Sequence, residues 1–215
     1  AWILPGLLGH DPWKPDEAYT FGLIYSALKN GDWLVPMLAH EPFMEKPPLF
    51  YWSAAVMAKL LSPPFSLHDA ARLTTGVYMA FTFAFIGGAA RELYGATCGR
   101  VAILMLMGCL GIVIRSHQLI TDVSLLTGFA AALYGLALAL RRPLAGGFWL
   151  GTGVGIGFMS KGLLAPGVFG IIVLLLPAFR AWRTRSYLSA LGIAALASAP
   201  WLVIWPLLLY KQAPA

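Results

Sequence analysis

The chain has 215 residues, of which 59% are hydrophobic and 11% charged, and its formal net charge is +6. A soluble domain carries about 25% charged residues, so a soluble fold is excluded and the bilayer is the expected solvent, in keeping with a mean hydropathy of +0.75. The basic residues sit at the ends of apolar segments and form no cluster with interleaved aromatics, which excludes a nucleic-acid groove and fits membrane topology.

Ala1-Trp2-Ile3-Leu4 runs straight into Pro5-Gly6, with no charged leader and no cleavage site. Residues 1–9 therefore read as the end of a first transmembrane helix rather than a signal peptide. The chain is accordingly expected to be a piece of a longer protein whose C-terminal part is absent.

Residues 10–68 differ from the rest. Six of the nine acidic residues lie there, namely Asp11, Asp16, Glu17, Asp32, Glu41 and Glu45. This composition predicts a large extramembrane loop with two short helices. The first spans roughly Glu17 to Lys29, with Asp16 placed to cap it, an apolar face of Phe21, Ile24, Tyr25 and Leu28, and Gly31 ending it. The second starts at Pro47-Pro48, runs to Leu61 and stops at Ser62-Pro63-Pro64. It is too short to cross the roughly 30 Å of hydrocarbon, and its aromatic start suits the headgroup level. His10, His40 and His68 read as surface residues.

Residues 69–215 are expected to hold transmembrane helices two to seven. The apolar spans are 70–90, 101–114, 123–140, a stretch from Gly147 to Phe179 broken at Ser160-Lys161-Gly162, and 187–209. The short loops between them carry Arg91, Arg100, Arg141, Arg142, Arg180, Arg183 and Arg185 against one acid, Glu92, which makes them cytoplasmic. The acidic loop, residues 115–122 and the Lys161 break then share the opposite side. Gly151, Gly153, Gly155 and Gly157 alternate in one helix as two overlapping GxxxG pairs, a close-packing signal and not a nucleotide loop. Cys98 and Cys109 read as small packing residues without a disulfide.

Five motifs occur in order: Asp16-Glu17, Gly31-Asp32-Trp33 with Pro36 nearby, Glu45-Lys46-Pro47 before an aromatic helix, Thr121-Asp122-Val123, and Lys161-Gly162. Together they resemble the bacterial glycosyltransferases of the GT-C fold that use polyprenyl-phosphate sugars, the aminoarabinose transferase and protein O-mannosyltransferase type. The resemblance implies an all-α integral membrane bundle of about seven transmembrane helices with a large first extracytoplasmic loop. It also implies a multi-pass protein of the bacterial inner membrane with its site on the periplasmic side. The implied donor is a polyprenyl-phosphate sugar, and the implied acceptor is a lipid A-like lipid, a glycan or a protein. Inversion at the sugar is implied, and no cofactor is required, with a divalent metal ion as the one optional addition.

Displacing a polyprenyl phosphate from a sugar needs an acidic group near the acceptor and cations near the departing phosphate. Asp16 is the first candidate acid, with Asp122 at a helix start and Glu17 as further catalytic carboxylates. Should the acceptor be a phosphate, it is already ionised, and Asp16 would orient it rather than take a proton. Lys46 is the leading phosphate ligand, and Lys161, Arg115, His117 and Tyr19 are further binding candidates. Glu45 is a candidate metal ligand, with His117 or Asp122 as partners, or else an ion-pair partner of Lys46 or Lys14. A transporter or lipid flippase would also have broken helices and a lysine at depth, but its acids would lie inside the spans in two repeats. A non-catalytic membrane subunit is the third reading.

Overall fold

A computed structural model describes residues 2–31, 33–39 and 41–212. Asp32 of the Gly-Asp-Trp motif and His40, expected at the surface, lie outside the described residues. Among the described residues the regular secondary structure is helical but for one small hairpin. The helices are α1 (Lys14–Asn30), α2 (Leu49–Leu61), α3 (Leu67–Tyr94), α4 (Cys98–Met107), α5 (Leu110–Arg115), α6 (Thr121–Ala139), α7 (Pro143–Lys161), α8 (Leu164–Leu175) and α9 (Arg185–Gln212). The hairpin pairs β1 (Met37–Leu38) with β2 (Glu41–Pro42), Met37 opposite Pro42.

Three of these helices, α3, α6 and α9, are long and apolar enough to cross a membrane, and α2, α4 and α8 are shorter apolar helices. Large apolar side chains such as Leu104, Met105, Leu174 and Leu196 point outward, as expected where lipid is the solvent. Each of the expected spans after residue 69 contains a helix. The 101–114 span is divided into α4 and α5 at Gly108-Cys109, where Cys109 is extended (ψ 116°) and breaks the helical run. Residues 2–13 do not continue a helix. They run in turns and bends, because Pro5 removes a donor and Gly6 and Gly9 take φ of +82° and +86°. Leu7 in this segment is buried beneath α3 at Gly76.

The first loop forms its two helices, with a correction at each start. Asp16 does not cap α1. The cap position is Trp13, whose N–H donates to Glu17 Oε2 at 2.8 Å, while Asp16 sits in the first turn. Gly31 ends α1 in the left-handed conformation, φ +81°. The aromatic start of α2 faces inward: Phe50 and Tyr51 are buried in a cluster with Leu23, Ile24, Ala71 and Leu119. Their burial reflects the apolar face of α1, which needs a cover. Trp52 Nε1 donates to the Trp33 carbonyl and Trp205 Nε1 to the Leu34 carbonyl at 3.3 Å, so α2 and α9 both hold the loop.

Antiparallel α6 and α7 pack backbone against backbone. A Cβ on Gly135 would stand 2.2 Å from Leu150 N, and one on Gly153 2.3 Å from Ala132 N. The alternating glycines divide between two faces. Gly153 and Gly157 meet α6 and α8, whereas Gly151 and Gly155 meet Ala194 and Trp201 of α9. Both overlapping GxxxG pairs thus serve close packing. Gly135→Ala in the full-length protein should cost roughly 1–3 kcal/mol, because backbone rather than a flexible side chain must yield. Gly192→Ala, which meets nothing within 4 Å, is the control. Equal thermal midpoints for the two variants would refute this account.

Candidate active site

At the end of the bundle where α6 begins and α7 ends, two opposite charges face each other. Lys161 Nζ donates to Asp122 Oδ1 at 2.6 Å. Each also complements its own helix: Asp122 lies in the first turn of α6 and Lys161 in the last turn of α7. Asp122 is therefore an ion-pair partner rather than a cap. Gly162, at φ +63°, turns the chain away behind the lysine.

On the loop side, Lys46 is held by Tyr19. Its ammonium donates to Tyr19 Oη and lies 4.9 Å from the ring centroid. Pro47 and Pro48, both buried, fix the backbone behind it. Asp16 is exposed and 3.9 Å from Arg115, which also donates to Gln118 Oε1 at 3.3 Å. Asp16, Tyr19, Lys46, Arg115, Asp122 and Lys161 line one cavity of about 810 Å³. Its other wall is apolar, including Met79, Leu126, Phe129 and Val168. Charged mouth and apolar wall in one space suit an amphiphile with an ionic head.

Three candidates lie elsewhere. Glu17 is buried: Oε1 accepts from Arg72 Nε at 2.8 Å and Leu119 N at 3.0 Å, and Oε2 from Trp13 N. It follows Asp16 by one residue and so points into the core, where these contacts join elements of the fold. His117 does not line the cavity. Its Nδ1 meets the Val113 carbonyl at 2.7 Å and Ser116 Oγ at 3.2 Å, and its ring packs on Trp2. Glu45 is exposed, and among the described residues no three His, Cys, Asp or Glu gather to hold a metal ion. One carboxylate does not fit such an ion. Tyr51, beside this corner, has its phenol pushed above the ordinary range by burial, then by Tyr19 and Glu45.

Arg72 was not legible as a functional-site residue. It is fully buried on α3 and holds Glu17, Asp69 Oδ1 at 2.9 Å and the Leu7 carbonyl at 3.5 Å. Asp69 in turn accepts from Gly9 N at 3.1 Å. This arginine joins the segment before α1, α1 itself and α3, and Glu17 extends the link to the segment before α6 through Leu119 N. Asp16 and Asp122 flank the joined segments.

The helix order and the two loop helices define an integral membrane protein of the GT-C fold. The crystal structure of ArnT from Cupriavidus metallidurans bound to undecaprenyl phosphate superposes with a TM-score of 0.76 over 99% of this chain and 40% of that one, at 18% identity. The chain belongs to the dolichyl-phosphate-mannose-protein mannosyltransferase family, whose signature matches residues 45–205. Among similar curated proteins, the undecaprenyl phosphate-alpha-4-amino-4-deoxy-L-arabinose arabinosyl transferase 1 of Sodalis glossinidius is 31% identical over all of this chain and 38% of its own length. The corresponding transferase of Pectobacterium atrosepticum is 30% identical over 93% of this chain and 37% of its own length. The chain thus spans less than two-fifths of these relatives.

Proposed function

We propose that the protein carrying this chain transfers a sugar from a polyprenyl-phosphate carrier to a lipid A-like lipid, a glycan or a protein at the extracytoplasmic face of the bacterial inner membrane. The observation that carries this reading is the single cavity with Lys46, Asp16 and the Asp122–Lys161 pair at its mouth and an apolar wall below. Names of relatives that act on undecaprenyl phosphate sugars support it. The arginine-rich loops support the side. Glu92 meets Arg142 at 3.3 Å and Arg141 at 3.9 Å at the bundle end opposite the cavity, and that end carries the positive-inside signal.

In this reading the acceptor oxygen attacks the anomeric carbon and the bond from that carbon to the carrier phosphate breaks. Asp16 takes the proton of a hydroxyl acceptor, or orients an acceptor that is already ionised. Lys46 receives the departing phosphate, with Arg115 and Lys161 within the same cavity for its remaining charge. Asp122 keeps the Lys161 ammonium in place. Glu17 acts through the fold and not on substrate. Glu45 would join a divalent metal site only with further ligands, and no step depends on one.

Lys46 is the test. A charge-assisted hydrogen bond is worth about 1.5–3 kcal/mol, or roughly 10–150-fold. Lys46→Ala in the full-length enzyme should lower turnover of a polyprenyl-phosphate sugar by that factor with expression retained. Lys46→Arg should lose less. Wild-type turnover by Lys46→Ala at subsaturating carrier would remove Lys46 from the phosphate site and leave Lys161 as its successor.

A further inference from the structure

A second cavity, of about 900 Å³, opens between α3, α4 and α6 at the other end of the bundle. Its polar lining includes Arg91, Thr97 and Arg100, and its apolar lining includes Phe85, Ile103 and Tyr134. The space depends on glycines. A Cβ at Gly99 would stand 2.5 Å from Arg91 Cγ, and one at Gly88 2.9 Å from the Tyr134 ring. Gly99 thereby lets the Arg91 side chain lie across the start of α4, and Arg91 and Arg100 line the same cavity.

Both arginines are exposed. The nearby acid, Glu92, is engaged by Arg141 and Arg142. Among the described residues, neither the Arg91 nor the Arg100 side chain has an ion-pair or hydrogen-bond partner. Depth separates the two parts of the cavity. Arg91 is in the last turn of α3, and Phe85 is six residues earlier, about 9 Å deeper at 1.5 Å per residue. Arg100 is near the start of α4, and Ile103 lies one turn further in. Cations thus stand at headgroup level over an aromatic and aliphatic surface at acyl-chain level. A free anion would use the upper part alone, whereas a lipid uses both.

We propose that this cavity binds an anionic phospholipid, its phosphate between Arg91 and Arg100 and an acyl chain along Phe85, Ile103 and Tyr134. Such a site is separate from the sugar-transfer cavity and independent of the reaction proposed for it. Basic pockets between helices at this membrane level favour acidic lipids.

Native mass spectrometry of the full-length protein, purified with equal phosphatidylglycerol and phosphatidylcholine, tests the site. Phosphatidylglycerol should be retained over phosphatidylcholine on the order of tenfold. Arg91→Gln with Arg100→Gln should abolish that preference, and Arg180→Gln, outside the cavity, should preserve it. Equal retention of the two lipids by the wild type would overturn the proposal whether or not the double variant folds. So would loss of the preference in Arg180→Gln, or displacement of phosphatidylglycerol by millimolar inorganic phosphate.

Discussion

Replacing Arg72 by alanine is expected to cost the folded protein about 3–5 kcal/mol, the range for removing one partner of a buried ion pair. Arg72 and Glu17 are almost wholly shielded from solvent, with side-chain exposures of 0% and 1%. Without the guanidinium, Glu17 keeps its two backbone donors, Trp13 N and Leu119 N, but loses its countercharge. Much of the cost is that stranded carboxylate and not the net worth of the pair. Glu17→Gln combined with Arg72→Met should therefore be far less damaging than Arg72→Ala alone. Thermal unfolding of the full-length protein in detergent measures both. If the double variant were as unstable as Arg72→Ala, the damage would come from lost packing and not from an unpaired charge.

Asp16→Asn should produce the largest loss of activity, about 10²–10⁴-fold with a hydroxyl acceptor, the usual contribution of a positioned base. The substitution is close to isosteric, and Asp16 is exposed, its ion-pair partner among the described residues being Arg115 at 3.9 Å, so the thermal midpoint should not move. An acceptor already ionised at neutral pH needs no base, and Asp16→Asn should then cost less than about tenfold. Turnover with hydroxyl and phosphate acceptors on the same preparation separates the two roles. Wild-type rates with both would exclude Asp16 from the reaction. The contrast with Glu17 is sharp: one position along α1, the expected loss passes from rate to stability.

The cavity residues were readable from sequence because each lies where a charge has few bland uses. Lys46 stands before two prolines, Lys161 interrupts an apolar run, and Asp122 opens one. Segregation of acids from arginines put them on one side. Arg72 was not readable in this way. It follows Asp69 at a helix start, where a basic residue commonly snorkels, and its main partner is 55 residues away. A signal existed in Ala70-Ala71-Arg72, a charge flanked by small residues. Such residues leave no bulk to hold the arginine at a surface and let a neighbouring element close over it. The hairpin of β1 and β2 carries no alternating pattern, because its two-residue strands are too short to show one. The inward turn of Phe50 and Tyr51 depends on α1 lying across α2, which periodicity alone does not specify.

The hydrogen bond from Leu119 to Glu17 spans 102 residues. At a synthesis rate of about 5–20 residues per second, that separation is roughly 5–20 s during which Glu17 is made but lacks this donor. Asp122 and Lys161, 39 residues apart, meet later still. A nascent chain from which residue 72 but not residue 119 has emerged can form the Glu17–Arg72 pair only without the donor that joins it to the segment before α6. The order of synthesis thus leaves the mouth of the cavity unfinished until Lys161 at the end of α7 has emerged.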